Sequence, residues 1–242
     1  MWQVRCKENA IFTMATLEET MKIFQSCDAV CFDVDSTLIQ DESIDELAAY
    51  CGVGEAVKDL TKQAMGGQMS YKETLEARLN LINPSRELME KFIQQSPIKF
   101  TKEIPNLVSK LQERGTAIYL VTGGFTCIVR SFAEKLNIPV ENIYANKLLF
   151  DYDGKYVAFD ESQPTCSTGG KPKVMSILKE KFGYKHLVMI GDGATDMEAV
   201  PPADAFIGFG GNQIRSKVQE GAQWFVTDFK ELINVLDASS DS

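Results

Sequence analysis

The stretch that decides the fold is Ala29-Val30-Cys31-Phe32-Asp33-Val34-Asp35-Ser36-Thr37. Its first four residues are continuously apolar, which is typical of a strand that is buried on both faces of a parallel sheet. Two aspartates and two hydroxyl residues follow at once. Ligands of open parallel sheets bind at the carboxyl ends of the strands. The stretch therefore predicts a central strand with an acidic site at its end.

Two further apolar runs repeat this arrangement. The run at 117–121 is followed by Thr122-Gly123-Gly124, and the run at 187–190 is followed by Gly191-Asp192-Gly193-Ala194-Thr195-Asp196. Residues 203–208 and 224–227 form similar short runs, and helical patterns separate the runs from one another. Alternation of strands and helices predicts right-handed crossovers. We therefore expect an α/β fold with a doubly wound, Rossmann-like parallel sheet as its core.

The segment from residue 44 to residue 100 breaks the alternation, because it contains several helical patterns and no convincing strand. Gly66-Gly67, Asn83-Pro84 and Ser96-Pro97 punctuate these patterns. We interpret the segment as a small helical cap domain inserted after the first strand. The predicted division is a core over 21–45 and 101–242, a helical cap over 46–100, and a poorly ordered N-terminal extension over 1–20. Residues 147–159 predict a hairpin around Asp153-Gly154.

The composition excludes several classes of protein. The chain has 242 residues, of which 44% are hydrophobic and 24% are charged, which is typical of a protein with a buried core. Its 25 basic and 34 acidic residues give a net charge of −9, so we expect no binding to nucleic acid. No apolar stretch approaches the roughly 20 residues that span a bilayer, so we expect no membrane-spanning segment.

The cysteines indicate a reducing compartment. The 6 cysteines are scattered without a Cys-x-x-Cys pair, and His186 is the single histidine, so their spacing does not suit a zinc cluster. A chain of this size needs no disulfide framework, and we therefore expect reduced cysteines and a cytoplasmic location. Residues 1–20 lack the long apolar segment of a secretory signal. An organelle signal in this extension, or a start at Met14, stays open.

The residues that follow the strands predict a phosphate site. Four acidic side chains and one lysine are expected to meet at one edge of the sheet: Asp33, Asp35, Asp192, Asp196 and Lys171. Clustered carboxylates repel one another unless a cation lies among them, and their oxygens suit Mg²⁺. Each aspartate alone is most simply interpreted as a turn residue. Three such motifs in chain order, however, favour one shared site.

Other motif interpretations fit the sequence poorly. A calcium-binding EF-hand loop that begins at Asp33 has Leu38 where the turn glycine belongs, and a P-loop that ends at Lys171 is followed by Pro172 in place of Ser or Thr. The segment Gly208-Phe209-Gly210-Gly211 lacks the spacing of a dinucleotide fingerprint and is interpreted as a close-packed turn. His186 is interpreted as structural, which leaves a serine-hydrolase triad without a base.

Taken together, the motifs resemble those of a known family. Asp33-x-Asp35-x-Thr37, Thr122, Lys171 and Gly191-Asp192-Gly193-x-Thr195-Asp196 resemble the four-motif signature of the haloacid dehalogenase-like phosphohydrolases. Within this superfamily, residues 31–37, 64–67, 190–199 and 208–212 are similar to those of the phosphoserine phosphatase family. The similarity extends from about residue 27 to residue 236. Thr122 stands where that family usually has Ser and keeps the hydroxyl, whereas residues 1–20 match no motif.

The resemblance implies a Mg²⁺-dependent phosphomonoesterase that acts through an aspartyl-phosphate. Asp33 would be the nucleophile, and Asp35 would be the general acid and base. The implied ligands of Mg²⁺ are Asp33, the backbone carbonyl of Asp35 and Asp192, with Asp196 orienting them from behind. The groups implied to bind the phosphorylated substrate at its phosphoryl end are Thr122, Gly123, Gly124, Lys171 and Thr195.

The resemblance also implies the substrate. This is O-phospho-L-serine, hydrolysed to L-serine and phosphate in the last step of serine biosynthesis. Glu42 would contact its ammonium group and Arg78 its carboxylate, because a planar guanidinium can bind a carboxylate through two hydrogen bonds. Met65 and Gly66 would close over the substrate. Two alternatives stay open, a related phosphatase that acts on another small phosphomonoester and a non-catalytic phosphate-binding module. A homodimer is plausible, but no sequence feature decides it.

Overall fold

The computed structural model describes residues 16–63, 69–96 and 99–238. Within these ranges, no helix is long and apolar enough to cross a membrane. The first element is helix α1, Leu17–Gln25, whose N-cap residue Thr16 exchanges hydrogen bonds with Glu19 and whose residues Thr20 and Phe24 are buried. The boundary predicted at residue 20 therefore falls inside a helix, and the predicted extension is too long at its C-terminal end. Its first part, residues 1–15, lies outside the described residues.

Eight strands form the sheets of the described chain. They are β1 Ala29–Phe32, β2 Ala117–Phe125, β3 Ile143–Asn146, β4 Leu148–Phe150, β5 Tyr156–Phe159, β6 Leu187–Gly191, β7 Ala205–Phe209 and β8 Trp224–Val226. Six of them form a parallel sheet in the order β3-β2-β1-β6-β7-β8. Every residue of β1, β6 and β7 is buried, as expected for strands that are covered on both faces. The predicted α/β fold with a parallel sheet is confirmed.

Two strands differ from the sequence prediction. No strand is predicted at β3, Ile143–Asn146, which in the structure pairs with β2 in parallel. The structure also extends β2 through Thr122, Gly123 and Gly124, which were expected to follow the strand. The register between β2 and β3 shifts between Val121 and Phe125. The three residues between these positions therefore lie outside the regular ladder, although the backbone stays extended. The hairpin predicted around residue 153 is present as the antiparallel pair β4 and β5.

Helices cover both faces of the parallel sheet. They are α6 Ile104–Glu113, α7 Thr126–Lys135, α8 Gly170–Phe182, α9 Ala194–Met197, α10 Ser216–Gly221 and α11 Lys230–Ala238. Alternate residues of β1 point to opposite faces, so Val30 and Phe32 belong to one buried cluster and Cys31 belongs to another. The sheet is thus fixed by apolar packing on both sides, and its carboxyl edge is left to polar residues.

The chain between β1 and α6 contains four helices and no strand within the described residues. They are α2 Ser43–Tyr50, α3 Gly54–Gln63, α4 Tyr71–Ile82 and α5 Arg86–Gln95. The chain leaves and re-enters the core through residues 38–40 and 99–101, which we call the crossing segments. They are joined by hydrogen bonds from Gln40 N to Lys99 O and from Thr101 N to Leu38 O, each 3.0 Å long.

The cap boundary predicted between residues 45 and 46 falls inside α2, which begins at Ser43. The periodic pattern of a helix marks its apolar face but not the point where the chain leaves the sheet, and this explains the displaced boundary. The structure places this point at the crossing segments. That residues 46–100 form a separate cap domain stays a prediction.

Phe229→Ala is expected to lower the free energy of unfolding by about 3–5 kcal/mol, because it empties a large, fully enclosed site. The Phe229 ring is buried, stacks on Phe209 with ring centroids 4.0 Å apart and meets Phe32 edge-on at 6.5 Å. Urea unfolding followed by circular dichroism measures the loss. Phe182→Ala, at a ring that is 46% exposed, is the matched control and should cost clearly less. Equal losses would contradict the packing described here.

Candidate active site

The turn after β1 presents the two aspartates of the first motif. Asp33 directly follows the strand: its N–H donates to the Ile190 carbonyl of β6 (2.9 Å), and its side chain accepts from the Val34 N–H (2.7 Å). Ser36 adopts a left-handed conformation with φ of 54°, which reverses the chain. The turn therefore holds Asp33 and Asp35 at the carboxyl edge of the sheet.

Asp33, Asp192 and Asp196 form an acidic cluster in which one carboxylate oxygen of each residue lies within 4.8 Å of the others. Asp192 directly follows β6, and Asp196 lies in α9. The Thr37 hydroxyl donates to Asp192 (2.9 Å) and orients its carboxylate. Three hard oxygen donors at this separation, two of them buried, suit a divalent cation such as Mg²⁺. The donor set of the acidic cluster therefore fits a metal site.

Asp35 contributes differently, because its carboxylate is not part of the acidic cluster. It accepts a hydrogen bond from the Ser43 N–H (2.8 Å) at the start of α2. Burial, followed by the nearby charges of Glu42 and Asp33, raises the pKa of Asp35 to about 7. A carboxyl group that titrates near neutrality can both give and take a proton at ordinary pH. If Asp35 binds a metal, only its backbone carbonyl is available, as the sequence analysis expects.

Lys171 neutralises part of the acidic cluster. It lies in the first turn of α8, is buried, and contacts Asp33 (2.9 Å) and Asp196. Burial alone would lower the pKa of Lys171, but the charges of Asp196 and Asp33 outweigh it and hold the pKa above its usual value. A buried ion is tolerated only when it is paired. The lysine and the two carboxylates therefore hold one another in place.

Arg215 is a second cation of the site, and nothing in the sequence pattern predicts it. Its Nε donates to Asp192 (2.7 Å), and its terminal nitrogen donates to Glu42 (3.2 Å). Glu42 also accepts from the Ser36 hydroxyl (2.8 Å), and burial raises the pKa of Glu42. Arg215 lies well beyond the end of β7, so a search for residues directly after a strand does not find it. Only the strand order of the structure, in which β7 pairs with β6 and opens on the same edge, points to this loop.

The end of β2 adds Thr122, Gly123 and Gly124. The Thr122 hydroxyl accepts from the Gly124 N–H (2.9 Å), and the fully buried Asn146 of β3 donates to the Gly123 carbonyl (2.8 Å). A methyl group on Gly124 would lie 3.3 Å from the Asp35 carboxylate, so this segment directly borders the proposed proton donor. Small residues let the backbone approach the site closely.

Helix α4 brings two polar side chains toward the same edge. The Tyr71 hydroxyl packs so closely on Gly123 that a methyl group on this glycine would overlap it. Burial raises the pKa of Tyr71, and the charges of Lys171 and Arg78 also act on its hydroxyl. The Nε of Arg78 is buried and has no hydrogen-bond partner among the described residues. A buried donor without an acceptor indicates a place for a ligand. Tyr71 is not predicted from the sequence, because an isolated tyrosine in a helical pattern carries no signal.

The remaining predicted residues are placed as follows. Thr195 lies exposed on α9, directly before Asp196, and Met65 and Gly66 lie outside the described residues. The structure brings together the other predicted residues at the carboxyl edge, from three strand ends, from the residue before α2, and from α4, α8 and α9. It adds Thr37, Tyr71 and Arg215 to them.

Comparisons with known proteins identify the family. A profile of the haloacid dehalogenase-like hydrolases matches residues 27–204. The phosphoserine phosphatases of Bos taurus and Homo sapiens are each 55% identical over 224 residues, which cover 93% of this chain and 100% of the relative. A solved substrate-bound phosphoserine phosphatase complex has a TM-score of 0.74 at 28% identity and covers 86% of this chain and 98% of its own. The chain therefore belongs to the haloacid dehalogenase-like hydrolases and, within them, to the phosphoserine phosphatase family.

Proposed function

We propose that this protein is a Mg²⁺-dependent phosphatase that hydrolyses O-phospho-L-serine to L-serine and phosphate through an aspartyl-phosphate. The observation that carries the proposal is the contrast between two neighbouring carboxyl groups. Asp33 contacts the ammonium group of Lys171, whereas the pKa of Asp35 is raised to about 7 by burial. Two carboxyl groups in different environments meet the needs of a nucleophile and a proton donor. The names of the relatives at 55% identity support the choice of substrate.

The metal would be held by the carboxylates of Asp33 and Asp192 and by the backbone carbonyl of Asp35. Asp196, a member of the same cluster that is bonded to Lys171, would fix their positions. Phosphatases of this superfamily are generally metal-dependent, and the all-oxygen donor set favours Mg²⁺. When bound, the ion supplies the positive charge that lets a carboxylate approach an anionic phosphate.

In the first step, a carboxylate oxygen of Asp33 attacks the phosphorus of the substrate. The bond from phosphorus to the serine oxygen breaks as the bond to Asp33 forms, and Asp35 gives its proton to the departing serine oxygen. Lys171, 2.9 Å from the Asp33 carboxylate, stabilises the charge that develops on the phosphoryl oxygens. Thr122 and the peptide groups of residues 123–124 would bind these oxygens from the β2 side.

In the second step, Asp35 acts as a base. It removes a proton from a water molecule, which attacks the phosphorus of the aspartyl-phosphate. The bond between phosphorus and Asp33 breaks, phosphate leaves, and both carboxyl groups return to their starting state. Because the pKa of Asp35 lies near 7, one residue can serve both steps at the same pH.

The amino-acid part of the substrate would be recognised by Arg78 and Glu42. The buried Nε of Arg78 needs an acceptor, and a substrate carboxylate supplies one. Glu42 is held toward the site by Ser36 and Arg215, where it can meet an ammonium group. Tyr71, the first residue of α4, packs on Gly123 at the end of β2 and would exclude water from the same space. Closure by Met65 and Gly66, a homodimer and a cytoplasmic location stay predictions.

The wild-type protein is expected to release phosphate from O-phospho-L-serine in the presence of Mg²⁺. Phosphate release should stop when EDTA removes the Mg²⁺. Asp33→Asn should reduce turnover by at least about a thousandfold, because the attacking carboxylate is lost. Phosphate release and circular dichroism are measured for both proteins, with Asp151→Asn as the surface control. If the turnover of Asp33→Asn were within tenfold of that of the wild type, the assignment of Asp33 as the nucleophile would be wrong. Release from other esters alone would favour a different phosphomonoesterase, and no release at all would favour a phosphate-binding module.

Asp35→Asn is expected to stabilise the metal-free protein at pH 8 by roughly 2–4 kcal/mol and to have little effect near pH 4. The pKa of Asp35 is raised to about 7 in the folded state, above the value of about 3.9 in an unfolded chain. The folded protein therefore retains the proton longer, and its stability falls as the pH rises from about 4 to 7. The amide that replaces the carboxyl group in the variant does not titrate. Urea unfolding in EDTA at pH 4 and pH 8 measures the free energy of unfolding of both proteins. An equal difference between the variant and the wild type at both pH values would contradict the raised pKa of Asp35.

Arg78→Ala is expected to raise KM for O-phospho-L-serine by roughly ten- to a hundredfold, because a charge-assisted bond in a closed site contributes about 1.5–3 kcal/mol. Phosphoethanolamine has no carboxylate, so its KM should change little. Steady-state kinetics on both substrates gives the comparison, and Arg130→Ala, on the exposed side of α7, is the matched control. Equal changes in KM for both substrates would contradict a contact between Arg78 and the substrate carboxylate.

A further inference from the structure

The segment Gly208-Phe209-Gly210-Gly211-Asn212 has no role in the proposed reaction, although the sequence analysis singles it out. A methyl group on Gly210 would overlap the Phe225 ring, and one on Gly211 would overlap the Phe209 ring. Glycine at both positions therefore lets the chain pack tightly after β7 and continue along the carboxyl edge of the sheet. We refer to residues 210–215, which connect β7 to α10, as the β7 loop.

Asn212 carries the contacts of the β7 loop with the first motif. Its side-chain Nδ2 lies within hydrogen-bond distance of the carbonyl oxygens of Ser36 (3.1 Å) and Ile39 (3.3 Å) and of the Thr101 hydroxyl (2.6 Å), so its two N–H groups serve three acceptors and one of them is shared. Two of the three acceptors are backbone carbonyls, which can only accept, so the amide nitrogen must face them. The outer part of Asn212 is exposed, and its amide group points inward.

The three acceptors belong to two parts of the chain that meet at the crossing segments. Ser36 lies in the turn that presents Asp33 and Asp35, Ile39 lies in the outgoing crossing segment, and Thr101 lies in the returning one. The crossing segments themselves share few backbone hydrogen bonds, such as those of Gln40 and Thr101. One side chain therefore joins the turn to both segments that connect α2–α5 with the core.

Arg215 extends the contacts of the β7 loop to the acidic cluster. It bonds to Asp192, which follows β6, and to Glu42, which directly precedes α2. The β7 loop thus holds the crossing segments at one end and the start of α2 at the other. Both contacts thus link the chain that enters and leaves the four inserted helices to the sheet edge where the aspartates lie.

We propose that Asn212 is a positioning residue, which fixes the crossing segments relative to the turn that carries Asp33 and Asp35. By holding the outgoing and returning chain together, it sets the distance of Glu42 and Arg78 from the acidic cluster. The structural part of this proposal stands on the contacts of Asn212 alone. The consequence for substrate selection rests on the proposed function.

Asn212→Ala is expected to raise KM for O-phospho-L-serine by about tenfold and to change kcat less. The loss of a few partly buried hydrogen bonds has an effect of this size. An aryl phosphate such as p-nitrophenyl phosphate offers neither a carboxylate nor an ammonium group, so its kcat/KM should fall by less than about threefold. A residue that merely stabilises the turn would lower the rates of both substrates alike, and that result would overturn the proposal.

Amide hydrogen exchange tests the structural part without any turnover. In Asn212→Ala, the N–H groups of Gln40 and Thr101 should exchange at least about tenfold faster than in the wild type. Asn142→Ala is the matched control, because Asn142 also donates from its side chain to one backbone carbonyl, that of Ile118 (2.8 Å), but far from the crossing segments. The proposal would be overturned if exchange at Gln40 and Thr101 were unchanged in Asn212→Ala. It would also be overturned if exchange at these two residues were equally fast in both variants.

Thr101→Val provides a second variant in case Asn212→Ala fails to fold. It removes one acceptor of Asn212 and keeps the shape of a buried side chain. The same changes in KM and exchange at Gln40 are expected, with smaller amplitude, and their absence would count against the proposal. If the wild-type protein does not hydrolyse O-phospho-L-serine, the proposed function fails, whereas hydrogen exchange still decides the role of Asn212.

Discussion

Repulsion among carboxylates at one edge of the sheet is the constraint on which the rest of the site depends. Asp33, Asp192 and Asp196 lie too close together to share a partly buried space without compensating charge. The compensation comes from distant parts of the chain, since Lys171 begins α8 and Arg215 follows β7. Each cation bridges two acidic side chains. The positions of α8 and of the β7 loop are therefore determined by charge as well as by apolar packing.

The same distribution of charge separates the two aspartates of the first motif. Asp33 faces Lys171, whereas Asp35 has no cation partner among the described residues and is held by the Ser43 N–H. Asp33 and Asp35 are separated by one residue in the sequence, yet their side chains have different surroundings. The left-handed residue Ser36 reverses the chain directly after them. Chemistry that needs an anion and a proton donor side by side follows from the backbone geometry of one turn.

The sequence predicts the parts of the structure that depend on local pattern. The continuous apolar runs of β1 and β6 and the motifs after them require only nearby residues, and the resemblance assigns their roles. β3 is not predicted, because it is stabilised by its pairing with β2 rather than by its own composition. The roles of Arg215 and Asn212 are not predicted either, because their partners Glu42 and Thr101 lie more than a hundred residues away in the sequence. Tertiary contacts of this kind leave no periodic signal.

The two crossing segments lie side by side, and this has a consequence for how the protein can change over evolutionary time. The ends of the inserted region are joined at the bridge between Ile39 and Phe100, so the sheet does not dictate how many residues lie between them. The entropic cost of closing such a loop rises only slowly with its length. Insertions, deletions or replacement of whole helices there leave strand order and the aspartates intact. If residues 46–100 form a separate cap domain, as the sequence predicts, exchanging that region would change the substrate preference while the aspartates at the sheet edge are retained.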